Sequence, residues 1–156
     1  AAPWAACAQG LQHTAIATVY AWNPQPEPQG HSIRSPLLAL RNTPQQPAQF
    51  VFDRGQLGGP AGLLAFVIST SEGTRADIEA LVIAQAKAQL GLDLQPLQTV
   101  VEKRATFACT PALVRPGKLV APGLYASGDY IDGPYPATLE GAVRSGMAVA
   151  QLLSKQ

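Results

Sequence analysis

Residues 128–146 read GDYIDGPYPATLEGAVRSG, and a short apolar run, GLYAS (123–127), leads into them. Gly128 and Asp129 close a buried strand expected over LYAS (124–127), and Gly133, Pro134 and Pro136 mark a turn. A helix is expected over 136–154, with Leu139, Ala142, Val143, Gly146, Ala150 and Leu153 on its apolar stripe. Pro136 suits the first helical position, where a missing N–H costs nothing. Such a helix start offers unpaired N–H groups and the positive end of the helix dipole to electron-rich ligand atoms. A strand passing through a glycine turn into such a helix is how α/β folds present these donors at a sheet edge. Ala137, Gly141, Ala142, Ser145 and Gly146 leave the first turns thin, so a flat ligand or another backbone can approach closely. The same small residues equally permit tight helix–sheet packing. Asp129 is a candidate acceptor for sugar or polyol hydroxyls, although beside phosphate its charge needs compensation. Glu140 and Arg144 are spaced as a helix-surface pair, and Tyr130 and Tyr135 also suit ordinary loop positions.

Working upstream, TAIATVYAW (14–22) is β-branched and aromatic and predicts a strand. NPQPEPQG (23–30) predicts a polar loop. SPLLAL (35–40) and QFVFDRG (49–55) predict short strands across the turn-rich RNTPQQPA. LLAFVIST (63–70), nearly free of charge, predicts a central strand. Thr74 followed by Asp77 resembles a capping box. Ile78, Leu81, Val82, Ala86 and Leu90 then share one helix face, and Gly91 is placed to end that helix. PLQTVVEKRATFAC (96–109) predicts a further strand, and TPALVRPGKLVAPG (110–123) an extended crossing segment. The fold class that follows is α+β: a mixed, largely antiparallel sheet with a covering helix, then a strand–turn–helix segment. The expected division is a sheet domain over 1–109, a crossing segment over 110–122, and a terminal strand and helix over 123–156.

The 156 residues are 47% apolar but only 13% charged, against about a quarter charged in ordinary soluble domains. Part of this surface is therefore expected to lie against something else. A net charge of +1 with no basic run argues against a nucleic-acid partner. The apolar run GLLAFVI (62–68) is too short to span a bilayer. The opening AAPWAACAQG lacks the basic and apolar regions of a signal peptide. Cys7, Cys109, His13 and His31 fit no zinc spacing, so no metal is expected. Both cysteines stand among Ala and Phe and are expected as buried reduced thiols, with a Cys7–Cys109 disulfide left open.

GLYASGDYIDGPYPATLEGAVRSGMAVAQLL (123–153) closely resembles the C-terminal FAD-binding segment of flavin-containing amine oxidases and phytoene-desaturase-like enzymes. Within that superfamily it is most similar to squalene-associated FAD-dependent desaturases, the hydroxysqualene dehydroxylases of bacterial hopanoid synthesis. VVEKRATFACTPALVRPG (100–117) resembles the same enzymes' strand and crossing segment, and 14–109 would be their substrate-binding domain. The resemblance implies FAD as cofactor. It implies that Asp129 hydrogen-bonds the ribityl or pyrophosphate region, while Ser127 and Gly128 let the backbone approach. Pro136, Ala137, Thr138 and Leu139 would line the isoalloxazine, with the Leu139 N–H near a pyrimidine carbonyl. Tyr135 would face flavin and substrate. It names no catalytic acid or base, because the flavin carries the redox chemistry.

One element of the family is missing from this sequence. Those enzymes open with a βαβ unit bearing GxGxxG, on which the pyrophosphate rests, whereas GQLGGPAG (55–62) has the glycines at the wrong spacing. With no initial Met either, the chain is expected to be the C-terminal portion of a longer oxidoreductase. Alone it is expected to be inactive and to bind FAD weakly at best. The implied partners are an N-terminal Rossmann region of the same polypeptide and a hydrophobic, isoprenoid-like substrate such as hydroxysqualene. The implied setting is cytoplasmic, with peripheral contact to the inner membrane. A flavin amine oxidase and a protoporphyrinogen-oxidase-like enzyme share the terminal motif and remain alternatives. So does a stand-alone binding module without redox activity.

Overall fold

A computed structural model describes residues 1–27 and 30–154, so two residues of the 23–30 loop expectation lie outside the described residues. The chain divides into two units, one over Thr14–Ala105 and one made of Ala1–His13 with the segment from Thr106 onward.

The first unit is built on β1 (His13–Trp22), β2 (Leu37–Ala39), β3 (Phe50–Asp53), β4 (Leu63–Ser69) and β5 (Gln95–Phe107), in sheet order β2-β3-β4-β1-β5. β4 is the central strand, as its charge-poor sequence implies, and it pairs antiparallel with both β1 and β3. Because side chains alternate along each strand, register sorts the residues onto two faces. Leu38, Val51, Phe66 and Val19 stand in one cross-strand row, with Ala17, Ala21, Leu64 and Ile68 on the same face. Helix α2 (Arg75–Leu90) covers that face with Ile78, Val82 and Ala86, all buried. Each fully buried Val, Leu or Phe there stabilises the fold by about 1.5–3 kcal/mol. On the opposite face stand Leu37, Phe52, Ala65 and Tyr20, flanked by Phe50, Val67, Thr18 and Trp22. This second face is less covered: Leu37 is 47% and Phe50 42% exposed, Tyr20, Trp22, Phe52 and Val67 are half-buried, and Ala65 is buried.

The expected capping box starts α2. The Thr74 hydroxyl oxygen accepts from the Asp77 N–H at 3.2 Å, and the Asp77 carboxylate accepts from the Thr74 hydroxyl at 2.6 Å. The Thr74 hydroxyl, together with the Thr74 backbone N–H at 3.3 Å, holds the Asp77 carboxyl below its usual range. Gly91, at φ 72°, ends the helix where expected.

Two buried polar side chains lock the loops. The Gln85 amide, fully buried, accepts from the Ala48 N–H at 2.9 Å and donates to the carbonyls of Ala48 (2.9 Å) and Arg41 (3.1 Å). Asp53, at the end of β3, is likewise fully buried. It accepts from the backbone N–H groups of Ser32, Ile33, Gly55 and Gln56 and from the Gln56 side-chain amide. Burial alone would raise its pKa, but these donors outweigh it and hold the carboxyl below the ordinary value.

The second unit holds α1 (Ala2–Gln9), a hairpin of β6 (Leu119–Ala121) and β7 (Leu124–Tyr125), and α3 (Leu139–Leu153). α1 was not expected, because an Ala-rich helix with no buried residue leaves no apolar periodicity to read. It is tied down by Trp4, whose indole N–H donates to the Gly117 carbonyl at 2.6 Å and whose ring meets Tyr130 edge-on at 6.4 Å.

Three expectations are corrected here. The LYAS strand is neither buried nor four residues long: β7 has two residues, and Leu124 is 55% exposed, because among the described residues it pairs with the short β6 alone. Helix α3 begins at Leu139, not Pro136, because Ala137 adopts φ 56° and Thr138 caps the helix. Neither cysteine is buried as expected: Cys109 is exposed and Cys7 half-buried, and both are free thiols.

Asp53→Ala is expected to cost about 2–4 kcal/mol by orphaning buried N–H donors, read as a lower urea midpoint with unchanged m. Asp53→Asn also destabilises, since its NH2 group would face N–H donors. Because the folded-state pKa of Asp53 is lowered, its stabilisation is complete above the unfolded carboxylate value. It is lost as pH falls through the lowered folded value, so the wild-type advantage over Asp53→Asn should shrink as urea melts move to acid pH.

Candidate functional site

The loop between β7 and α3 brings the sequence-derived residues together. Gly128 takes φ 155°, and a Cβ there would stand 2.6 Å from Tyr130 Cε1. The Gly128 N–H donates to the Ser145 hydroxyl at 2.7 Å, and that hydroxyl lies 3.0 Å from the Gly128 carbonyl oxygen and 3.2 Å from that of Ala142. The start of the loop is thereby pinned to the second turn of α3. The Asp129 carbonyl accepts from the Ala137 N–H at 3.3 Å, which closes the loop on itself. The Asp129 side chain is half-buried, and its carboxylate has no hydrogen-bond or ion-pair partner among the described residues.

The helix start follows from Thr138. Its hydroxyl oxygen accepts from the Gly141 N–H at 3.0 Å, and its O–H donates to the Tyr135 carbonyl at 2.9 Å. Leu139 and Glu140 occupy the first two helical positions, where an α-helix provides no internal acceptor for their N–H groups. Leu139 is 88% exposed.

The small residues therefore divide between the two uses the sequence left open. At Gly141 the close approach is made by backbone: a Cβ would overlap the Tyr135 carbonyl oxygen. At Gly146 nothing lies within 4 Å of the missing Cβ, and that side of the helix is open. Glu140 and Arg144 form the expected surface pair at 2.5 Å, and the Arg144 guanidinium stacks 4.8 Å from the Tyr135 ring centroid. Between the loop and α3 lies a cavity of about 170 Å³, walled by Tyr135, Gly141, Arg144 and Ser145 and by Lys118 from the neighbouring hairpin. Ser127 is exposed at the loop entrance, and Pro136 and Ala137 are half-buried beside the cap.

The apolar stripe of α3 is not buried. Leu139, Val143 and Met147 recur every four residues and are 88%, 58% and 59% exposed, and no residue of the helix is fully covered. Two signals escaped the sequence reading. Met147 continues the stripe at helical spacing, and Arg115 lies in the crossing segment, which carries no local pattern. Its guanidinium donates to the carbonyls of Ile131 (2.8 Å) and Gly133, so its partners are 16 and 18 residues away. Among the described residues no group of three His, Cys, Asp or Glu side chains is placed to hold a metal ion. No described helix is long and apolar enough to cross a membrane.

This arrangement was compared with known proteins. No family model matches the chain. Over 69 residues, 42% of its length, it is 48% identical to the hydroxysqualene dehydroxylase of Rhodopseudomonas palustris. Part of this chain is homologous to hydroxysqualene dehydroxylase. The enzyme of that name from Sinorhizobium fredii is 44% identical over 63 residues. The matched stretches span only 16% and 15% of those two proteins. A solved structure assigned as a protoporphyrinogen oxidase of Exiguobacterium sp. 255-15 superposes with TM-score 0.65. It covers 95% of this chain and 36% of its own length at 16% identity, which is a likeness of fold. The resemblance to hydroxysqualene dehydroxylases drawn from the sequence thus stands in named relatives.

Gly141→Ala is expected to destabilise the protein by about 2–4 kcal/mol, since strained overpacking against backbone has nowhere to relax. Gly146→Ala is expected to be neutral or to stabilise by up to about 1 kcal/mol. Thermal melts of the two variants side by side check the contrast.

Proposed function

We propose that this chain is the substrate-binding sheet and terminal FAD-contacting segment of an FAD-dependent oxidoreductase of the hydroxysqualene dehydroxylase type. The observation that carries the reading is the start of α3. The outward N–H groups of Leu139 and Glu140 and the uncommitted Asp129 carboxylate share one short loop. This is a donor and acceptor set with no acceptor or donor of its own. Donors at a helix start suit an electron-rich carbonyl of a ring system, and a lone carboxylate suits sugar or ribityl hydroxyls. The residues present fit a flavin: the Gly146 side of α3 is open, and the cap leaves Leu139 free of contacts that would block a flat ring.

In this reading Ser127, Gly128 and Asp129 hold the ribityl and pyrophosphate region, while Pro136, Ala137, Thr138 and Leu139 border the ring. Bound FAD would supply hydride transfer. The chain's own residues bind, orient and exclude water: Thr138 fixes the direction of the helix start, and Ser145 fixes the height of Gly128 above it. Tyr135, 42% exposed and backed by Arg144, faces substrate.

The substrate reading draws on the sheet unit by itself. Its second face carries Leu37 and Phe50, exposed, and Phe52, Val67, Tyr20 and Trp22, half-buried, a surface suited to an extended hydrocarbon and poorly suited to a charged metabolite. An isoprenoid such as hydroxysqualene fits that chemistry, collected by peripheral contact with a membrane. The adenosine half of the cofactor would rest on a Rossmann region of the same polypeptide, and the 156 residues alone would be inactive.

Asp129→Ala in the full polypeptide that carries this chain should lower retained flavin about tenfold or more, the loss expected for one charged hydrogen bond. Flavin absorbance per protein after desalting measures it. Unchanged flavin content removes Asp129 from the site. A polypeptide that never carries flavin removes the function.

A further inference from the structure

We infer that Arg115 is a positioning residue for the flavin- and substrate-facing loop, a role that rests on the functional reading above. Its side chain is only 9% exposed, and a guanidinium cannot shed its charge. A buried charge needs acceptors held in place. Here they are the carbonyls of Ile131, at 2.8 Å, and Gly133, with the Phe107 ring 5.9 Å below the guanidinium carbon. Asp132 is a weaker partner, at 3.5 Å and with a side chain 74% exposed.

The clamp has two jaws. Beside Arg115, the Pro116 carbonyl accepts from the Asp132 N–H at 2.9 Å. Arg115 itself stands on a supported segment, since Trp4 donates to the Gly117 carbonyl and the Cys7 thiol lies 3.7 Å from the Val114 carbonyl oxygen. Support therefore runs from α1 through residues 114–117 to residues 131–133, and from there to Asp129 on one side and Tyr135 on the other. If the turn moved, the guanidinium would be left buried without acceptors, so the charge and the loop hold each other. Lysine cannot replace it, because one ammonium point charge does not bridge two carbonyls in the fixed plane of the guanidinium fork.

The test uses Arg115→Lys, Arg115→Gln and, as comparison, Asp132→Asn. In the 156-residue chain, amide hydrogen exchange at Ile131, Asp132 and Ala137 should be about tenfold faster in both Arg115 variants, the equivalent of one lost charged hydrogen bond. Amides of β1 and β4 should not change, and Asp132→Asn should behave like wild type. In the full polypeptide, both Arg115 variants should also lose flavin or show an altered flavin absorbance envelope. Unchanged loop exchange overturns the clamp. Faster exchange with unaltered flavin content and spectrum overturns the positioning role. An equal effect from Asp132→Asn assigns the effect to the ion pair and overturns the carbonyl clamp. If the wild-type polypeptide carries no flavin, the functional reading falls and the positioning role falls with it, while the exchange data still decide whether the clamp exists.

Discussion

Strand β4 is bonded on both edges, and the two-residue period of its pairing decides what the sheet unit can do. With Val67 opposite Thr18 and Phe50, and Phe66 opposite Val19 and Val51, Phe66, Leu64 and the branched and small residues meet α2 while Tyr20, Trp22, Phe50 and Phe52 turn the other way. A slip of one position would exchange the two sets. The face of Tyr20, Trp22, Phe50 and Phe52 would then lie under the helix, and the core set of Leu64, Phe66, Ile68 and the valines would be turned outward. Asp53 guards against such a slip at the end of β3, because its five donors come from two loops that fit only one register.

Much of this was legible in the amino-acid order. β1, β3, β4 and α2 announce themselves through runs of β-branched residues, the Thr74–Asp77 cap and Gly91, all of them local signals. Asp53 and Gln85 were not legible, because their meaning depends on partners far away in sequence: Gln85 bonds Ala48, 37 positions away. The terminal motif was recognised whole, and its order of strand, turn and helix is present. Its details were misjudged where a single dihedral decided them. The positive φ of Ala137 moves the helix start three residues beyond Pro136, and no propensity argument anticipates a non-glycine residue there.

The candidate site also shows what small residues were selected to accommodate. Gly128 and Gly141 are filled by the chain's own Tyr130 ring and Tyr135 carbonyl, so the loop is tightly fitted to α3 before any ligand arrives. What the loop leaves outward is a small polar set of two amide hydrogens, one carboxylate and a tyrosine edge, with the exposed Leu139 beside it. Such a site orients a bound group through a few directed bonds.

The exposed stripe of α3 has a consequence for the stability of the helix. A helix of fifteen residues is of marginal stability in water by itself, and here no residue is fully hidden to reinforce it. Its helicity is therefore thermodynamically linked to whatever covers Leu139, Val143 and Met147. Anything that binds the helical form draws the coil toward it by mass action. Covering that stripe therefore adds stability to the whole of α3, over and above the Thr138 cap and the Ser145 contacts that already hold its first two turns.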